Sequence, residues 1–205
     1  RLHEAWRQVQ QGQTVQLTLL GEPGIGKSRL TQQFIQELPR VLMASCSPYA
    51  VSHPYFAIQE WIRDALDLPL SPPVGLVQGR VSEPLLALLC PEDGPALPSR
   101  ALAKRAMHDF LAAWAADSPG VLVVDDAQWL DPSSREVLQE LPSSRLLLLV
   151  LARPDTPGLG IEIHLGPLEP GAVDLMLQSA GVEPERWGVL RERCEGNPFF
   201  AEELA

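Results

Sequence analysis

Within the stretch GEPGIGKSRL, four residues have the types and spacing needed to hold phosphate: Gly21, Gly26, Lys27 and Ser28 fit the pattern G-x-x-x-x-G-K-[ST]. The chemistry this predicts is capture of a polyphosphate by main-chain amides. Successive N–H groups turn inward around an anion only where the chain accepts dihedrals that glycine tolerates and where no side chain fills the hollow. Gly24 and Gly26 are expected to meet that need. Lys27 is expected to reach the β- and γ-phosphates and the Ser28 hydroxyl to ligate Mg²⁺, with the positive end of the next helix facing the phosphates. The whole turn, Gly21, Glu22, Pro23, Gly24, Ile25, Gly26, Lys27, Ser28 and Arg29, is therefore assigned to nucleotide binding.

A second group of residues could complete the chemistry. In LVVDDAQWLD an apolar run delivers Asp125 to the carboxyl edge of a sheet, where open α/β sheets bind ligands. Asp125 is expected to hold a water of the Mg²⁺ shell. Asp126 is placed to orient or deprotonate an attacking water, but its carboxylate is one methylene shorter than that of glutamate, so slow hydrolysis is expected. Arg153 directly follows RLLLLVLA; it can touch the γ-phosphate as a sensor if that strand lies beside the one that feeds the glycine turn. The alternative is a surface arginine neutralising Asp155. In EGNPFFAEEL, Gly196 and Pro198 break the chain before a helix that Phe199, Phe200 and Leu204 would anchor.

The elements that must position these groups follow from periodicity. VQLTLL, VLMASC, GVLVVDD, RLLLLVLA and IEIHL read as five strands, the first running straight into the glycine turn. Helices are expected over 2–12, over 28–38 with Leu30, Phe34, Ile35 and Leu38 on one face, and over 55–66 around Trp61. A long helix capped by Ser99 should bury Leu102, Ala106, Phe110, Leu111 and Trp114, and Asp131 followed by Pro132 starts another. Strands alternating with helices imply a mainly parallel sheet covered on both faces. Between Pro69 and Pro98 lie seven prolines and little periodicity, so this part reads as an irregular, partly helical insertion. From Glu169 onward only helices are expected. The division is thus a nucleotide-binding core over 1–166 and a small helical lid over 167–205.

Composition narrows the partners. The chain has 205 residues, 45% of them hydrophobic, and a net charge of −10, which disfavours a surface built to grip nucleic acid. Cys46, Cys90 and Cys194 are odd in number and widely spaced, and His3, His53, His108 and His164 share no metal spacing, so neither a disulfide framework nor a zinc site is expected. With no apolar run long enough to span a bilayer and no signal peptide, the chain reads as soluble, cytoplasmic, and cut from something larger.

Together GEPGIGKSRL, LVVDDAQWLDPSS, LLLLVLARPD and GNPFFAEEL resemble the ATPase domain of the STAND class, signal-transduction ATPases within the AAA+ branch of P-loop proteins. The nearest likeness is to modules of large bacterial LuxR-type and SARP-type transcription regulators and of cyclase-associated ATPases. The resemblance implies an α/β P-loop fold with five parallel strands in the order 5-1-4-3-2 and ATP/ADP with Mg²⁺ as ligands. It also implies catalytic roles for Lys27, Asp126 and Arg153, and a place beside the adenine for Pro198. Relatives open with a G-R-E phrase, of which only Arg1 is matched here. They continue into winged-helix, sensor and effector domains, implied partners along with nucleotide-dependent self-assembly.

Two classes of function, and a third, remain open at this point. One is a switch in which ATP favours assembly, ADP holds the helical part closed and slow hydrolysis resets the state. The second is a turnover enzyme such as a small-molecule kinase, which should show an acceptor pocket and arginines closing on the transferred group. A scaffold without nucleotide is the third.

Overall fold

A computed structural model describes all 205 residues of the chain. Five strands, β1 (Val15–Leu20), β2 (Val41–Ser45), β3 (Gly120–Asp125), β4 (Leu146–Ala152) and β5 (Ile161–His164), form one sheet ordered β2-β3-β4-β1-β5, with every pair parallel. This is the expected order, 5-1-4-3-2, viewed from its other edge. The central strands β3 and β4 are buried along nearly all their length, so they carry continuous Val and Leu runs without polar alternation. The edge strand β5 is largely exposed and mixes Ile161 and Ile163 with Glu162 and His164.

Alternating side chains of each strand serve opposite cores. Leu122, Val124, Leu146, Leu148 and Val150 pack under α3 (Phe56–Ala65), α5 (Glu83–Leu89), α6 (Arg100–Trp114) and α7 (Pro132–Gln139). Val121, Val123, Leu147, Leu149 and Leu151 pack under α1 (Leu2–Gln10) and α2 (Lys27–Ile35). Trp61 is fully buried on the first face, and its indole N–H donates to the Val123 carbonyl at 3.1 Å, which satisfies its one polar atom. The proline-rich stretch contributes α5 and the single turn α4 (Val74–Val77), with turns between them. No helix is long and apolar enough to cross a membrane.

The last three helices, α8 (Pro170–Ser179), α9 (Pro184–Cys194) and α10 (Pro198–Leu204), surround a separate small core of Val173, Leu177, Val182, Leu190, Cys194 and Ala201. Four apolar side chains depart from the faces expected of them. Leu30 is 38% and Leu102 48% exposed, because α2 buries Thr31 and Phe34 while α6 turns Ala103, Ala106, Met107 and Leu111 inward. Phe199 and Phe200 are half exposed, and Ala201 is the residue that α10 buries. α2 also ends at Ile35, three residues before Leu38.

Candidate functional site

β1 runs into the glycine turn and α2 leaves it, so the turn lies at the carboxyl edge of the sheet. Gly24 and Gly26 have φ of +79° and +95°, a region that side chains strongly disfavour. Nothing lies within 4 Å of a Cβ built on Gly26, so the loop is open there. Gly21 is required for a different reason: a Cβ would sit 2.8 Å from Ile25 Cγ2 and 3.0 Å from the Leu165 carbonyl oxygen. Ile25 is 9% exposed, and its side chain turns in against Gly21.

Lys27 donates from Nζ to the main-chain oxygens of Gly21 at 2.7 Å and Glu22 at 3.1 Å, bracing the turn with its own ammonium. Burial lowers its pKa, opposed by the carboxylates of Asp125, Asp126 and Glu22 and aided by the Arg153 guanidinium. Asp125, Asp126 and Arg153 are thus near enough for their charges to act on Lys27. Ser28 Oγ donates to Asp125 Oδ2 at 2.8 Å, across 97 residues of sequence. The other Asp125 oxygen accepts from the Asp126 N–H at 2.9 Å. β3 ends at Asp125, and Asp126 leaves the sheet with φ +53°, its carboxylate accepting from Gln128 Nε2 at 2.8 Å. Arg153 follows β4, which pairs directly with β1, and it makes no ion pair with Asp155.

Behind the acids, Asp131 is 2% exposed and Oδ1 accepts two N–H groups, from Ser134 at 2.9 Å and from Tyr55 at 2.9 Å. One carboxylate thus caps α7 and holds the segment entering α3, where Tyr55 has φ +64°. The sequence marks the cap but not the second bond. Arg29 turns away from the hollow and pairs with Glu202 of α10 at 2.5 Å. Pro198 is the first residue of α10, and its neighbours touch the loop: Asn197 Nδ2 donates to the Pro23 oxygen at 3.0 Å and the Phe199 N–H to the Gly24 oxygen at 3.3 Å. Asn197 had no place among the expected site residues; an Asn directly before Pro marks a helix start and nothing more.

These groups fit a nucleotide with Mg²⁺. The amide hollow at Gly26 is unobstructed, one ammonium stands over it, and the Ser28 hydroxyl and Asp125 carboxylate are hard oxygen donors that share one hydrogen bond. No three His, Cys, Asp or Glu side chains gather as a metal cage. A cleft of about 1040 Å³ between α3 and the proline-rich stretch is lined by none of residues 21–29, Asp125, Asp126 or Arg153.

Residues 1–151 match the sequence model of the AAA ATPase domain. The chain belongs to that family. It is a nucleotide-binding P-loop ATPase domain, with ATP as the ligand that family membership implies. No curated protein matches the chain in sequence. Among solved structures, a STAND protein with a tetratricopeptide repeat sensor from Pyrococcus horikoshii is similar over 96% of this chain, with TM-score 0.55 and 13% identity. The Drosophila origin recognition complex bound to DNA is similar over 99%, with TM-score 0.59 and 13% identity. A Walker-type ATPase of Pyrococcus abyssi is similar over 98%, with TM-score 0.54 and 15% identity. At these identities the likeness is one of fold, and it agrees with the STAND-class AAA+ resemblance. This AAA ATPase domain spans 28%, 51% and 65% of those three chains.

Proposed function

We propose that this AAA ATPase domain is a slowly hydrolysing nucleotide switch, with residues 1–166 as its core, 69–98 as an insertion and 167–205 as a lid. The observation that carries this reading is the direct seat of α10 on the phosphate-binding loop, through Asn197 to Pro23 and Phe199 to Gly24. A ligand that changes the loop therefore acts on the helical part without an intermediary. Lys27 exchanges its bonds to Gly21 and Glu22 for phosphate oxygens, and the Gly24 to Ser28 amides surround the anion. Ser28 and Asp125 are the residues that would hold the metal. Bound Mg²⁺ supplies charge neutralisation across the phosphates. Asp126, held by Gln128, orients the attacking water, and Arg153 senses the γ-phosphate. Pro198 stands beside the base.

Hydrolysis is favoured over transfer because the large cleft is lined by none of the phosphate-binding residues, so an acceptor bound there does not touch them. The partial coverage of the STAND protein with a tetratricopeptide repeat sensor supports a place within a longer regulator, with winged-helix, sensor and effector domains as partners. Nucleotide-dependent self-assembly in the cytoplasm and an output in transcription or second-messenger signalling complete the proposal; the charge of −10 argues that this segment does not itself grip DNA. Phosphate release from MgATP, measured with and without a panel of small hydroxyl and carboxyl acceptors, tests it. Slow release indifferent to acceptor is expected, and rapid acceptor-dependent turnover overturns it.

A further inference from the structure

We propose that Asn197 is a positioning residue for the phosphate-binding loop, its single carboxamide both starting α10 and aiming the loop's backbone. The inference rests on the nucleotide-switch reading for its purpose, though not for its geometry.

The Asn197 side chain spans two elements. Its Oδ1 accepts from the Phe199 N–H at 3.1 Å, capping α10, while its Nδ2 donates to the Pro23 carbonyl at 3.0 Å. Asp, Ser and Thr cap a helix as well as Asn does, but among these only Asn also carries an amide donor. Pro198 has no N–H to compete for Oδ1 and fixes the first helical φ. Gly196, at φ +75°, is pressed against residues 167–168, where a Cβ would meet the Leu168 oxygen at 2.7 Å; its own oxygen accepts from Leu168 N–H at 2.8 Å. The backbone that carries Asn197 is thus fixed from behind.

The peptide bond is planar and trans, so its C=O and N–H point to opposite sides. Drawing the Pro23 carbonyl toward Asn197 turns the Gly24 N–H of the same peptide away from the lid. Gly24 N–H has no partner in the protein, whereas the next amide, of Ile25, is used within the turn on the Glu22 oxygen at 3.2 Å. The group that the clamp orients is therefore one left free for an anion. Gly24 is also small on the lid's account: a Cβ there would lie 2.7 Å from Phe199 Cβ and 2.9 Å from Asn197 Oδ1. The Arg29–Glu202 pair ties α2 rather than the loop to α10, and its side chains are 76% and 55% exposed, where such pairs contribute little. Asn197 is the anchor that specifies geometry.

Asn197→Asp separates the two duties, since it keeps the capping acceptor and sets a carboxylate against the Pro23 carbonyl. In the nucleotide-free chain, hydrogen exchange at Ile25, whose N–H is the bonded amide of residues 22–26, should rise about tenfold in this variant while Phe199–Glu202 keeps its wild-type exchange. The affinity for fluorescent N-methylanthraniloyl-ADP should fall about tenfold. Loop exchange unchanged by Asn197→Asp, or loop and helix exchange rising together, would each overturn the proposal. If wild type binds no labelled ADP, the switch reading fails, and loop exchange still decides the clamp.

Discussion

Replacing Asp131 by alanine should destabilise the domain far more than a change one residue from a surface turn would suggest. Its Oδ1 accepts two backbone N–H groups at 2.9 Å in a site 2% exposed to solvent. Loss of the helix cap costs about 1 kcal/mol. The Tyr55 N–H, stranded in a buried site, adds about 1–3 kcal/mol. The total is about 2–4 kcal/mol, which for a chain of this size lowers the melting temperature by roughly 5–15 °C. Asp131→Asn keeps the accepting oxygen and changes only Oδ2, which has no partner, so it should stay within about 1 kcal/mol of wild type. Urea unfolding followed by tryptophan fluorescence measures both. An Asn variant as unstable as the Ala variant, or an Ala variant within about 0.5 kcal/mol of wild type, would refute the double role of this carboxylate.

Three further outcomes are expected. Lys27→Ala should weaken MgATP binding about 10- to 100-fold by titration calorimetry, the size of a lost charge-assisted hydrogen bond, with little change in melting temperature because burial already penalises the ammonium. Asp126→Asn should slow phosphate release at least about tenfold while MgATP still binds, since general-base groups contribute about that much or more; unchanged turnover would remove Asp126 from water positioning. Burial pushes the Cys46 thiol up to about 12 from an ordinary value near 9, so the folded state keeps a proton that the unfolded chain loses. Its contribution to stability is complete below pH 9 and falls by about 1.4 kcal/mol per pH unit above it. Urea midpoints of wild type and Cys46→Ala should converge across that range.

The sheet was legible because its signals are local. Uninterrupted Val and Leu runs mark strands covered on both faces, and the glycines of residues 21–26 can only serve a turn with unusual dihedrals. Order in the sheet came through family resemblance, as no local feature says that β4 lies beside β1. Helix faces were less legible. Leu30 and Leu102 are more apolar than Thr31 and Ala103, yet it is Thr31 and Ala103 that face the interior. Two contacts that join distant segments left no trace: Asn197 meets Pro23 across 174 residues, and Asp131 meets Tyr55 across 76. Each uses a side chain whose local duty as a helix cap already accounts for its presence. Phe199 and Phe200 misled for the opposite reason, since two aromatics beside a helix start imply anchoring, whereas the α10 backbone itself lies on the loop.

The central claim is that the turn from Gly21 to Ser28 holds a nucleotide's phosphates, with Ser28 and Asp125 as the residues that would hold its metal ion. A crystal structure of the domain with Mg²⁺ and a non-hydrolysable ATP analogue tests it most directly. The account predicts phosphate density ringed by the amides of Gly24 to Ser28, with Lys27 withdrawn from the Gly21 oxygen onto it. Nucleotide bound elsewhere, or a turn left as it stands with Lys27 still on Gly21 under saturating analogue, would contradict it.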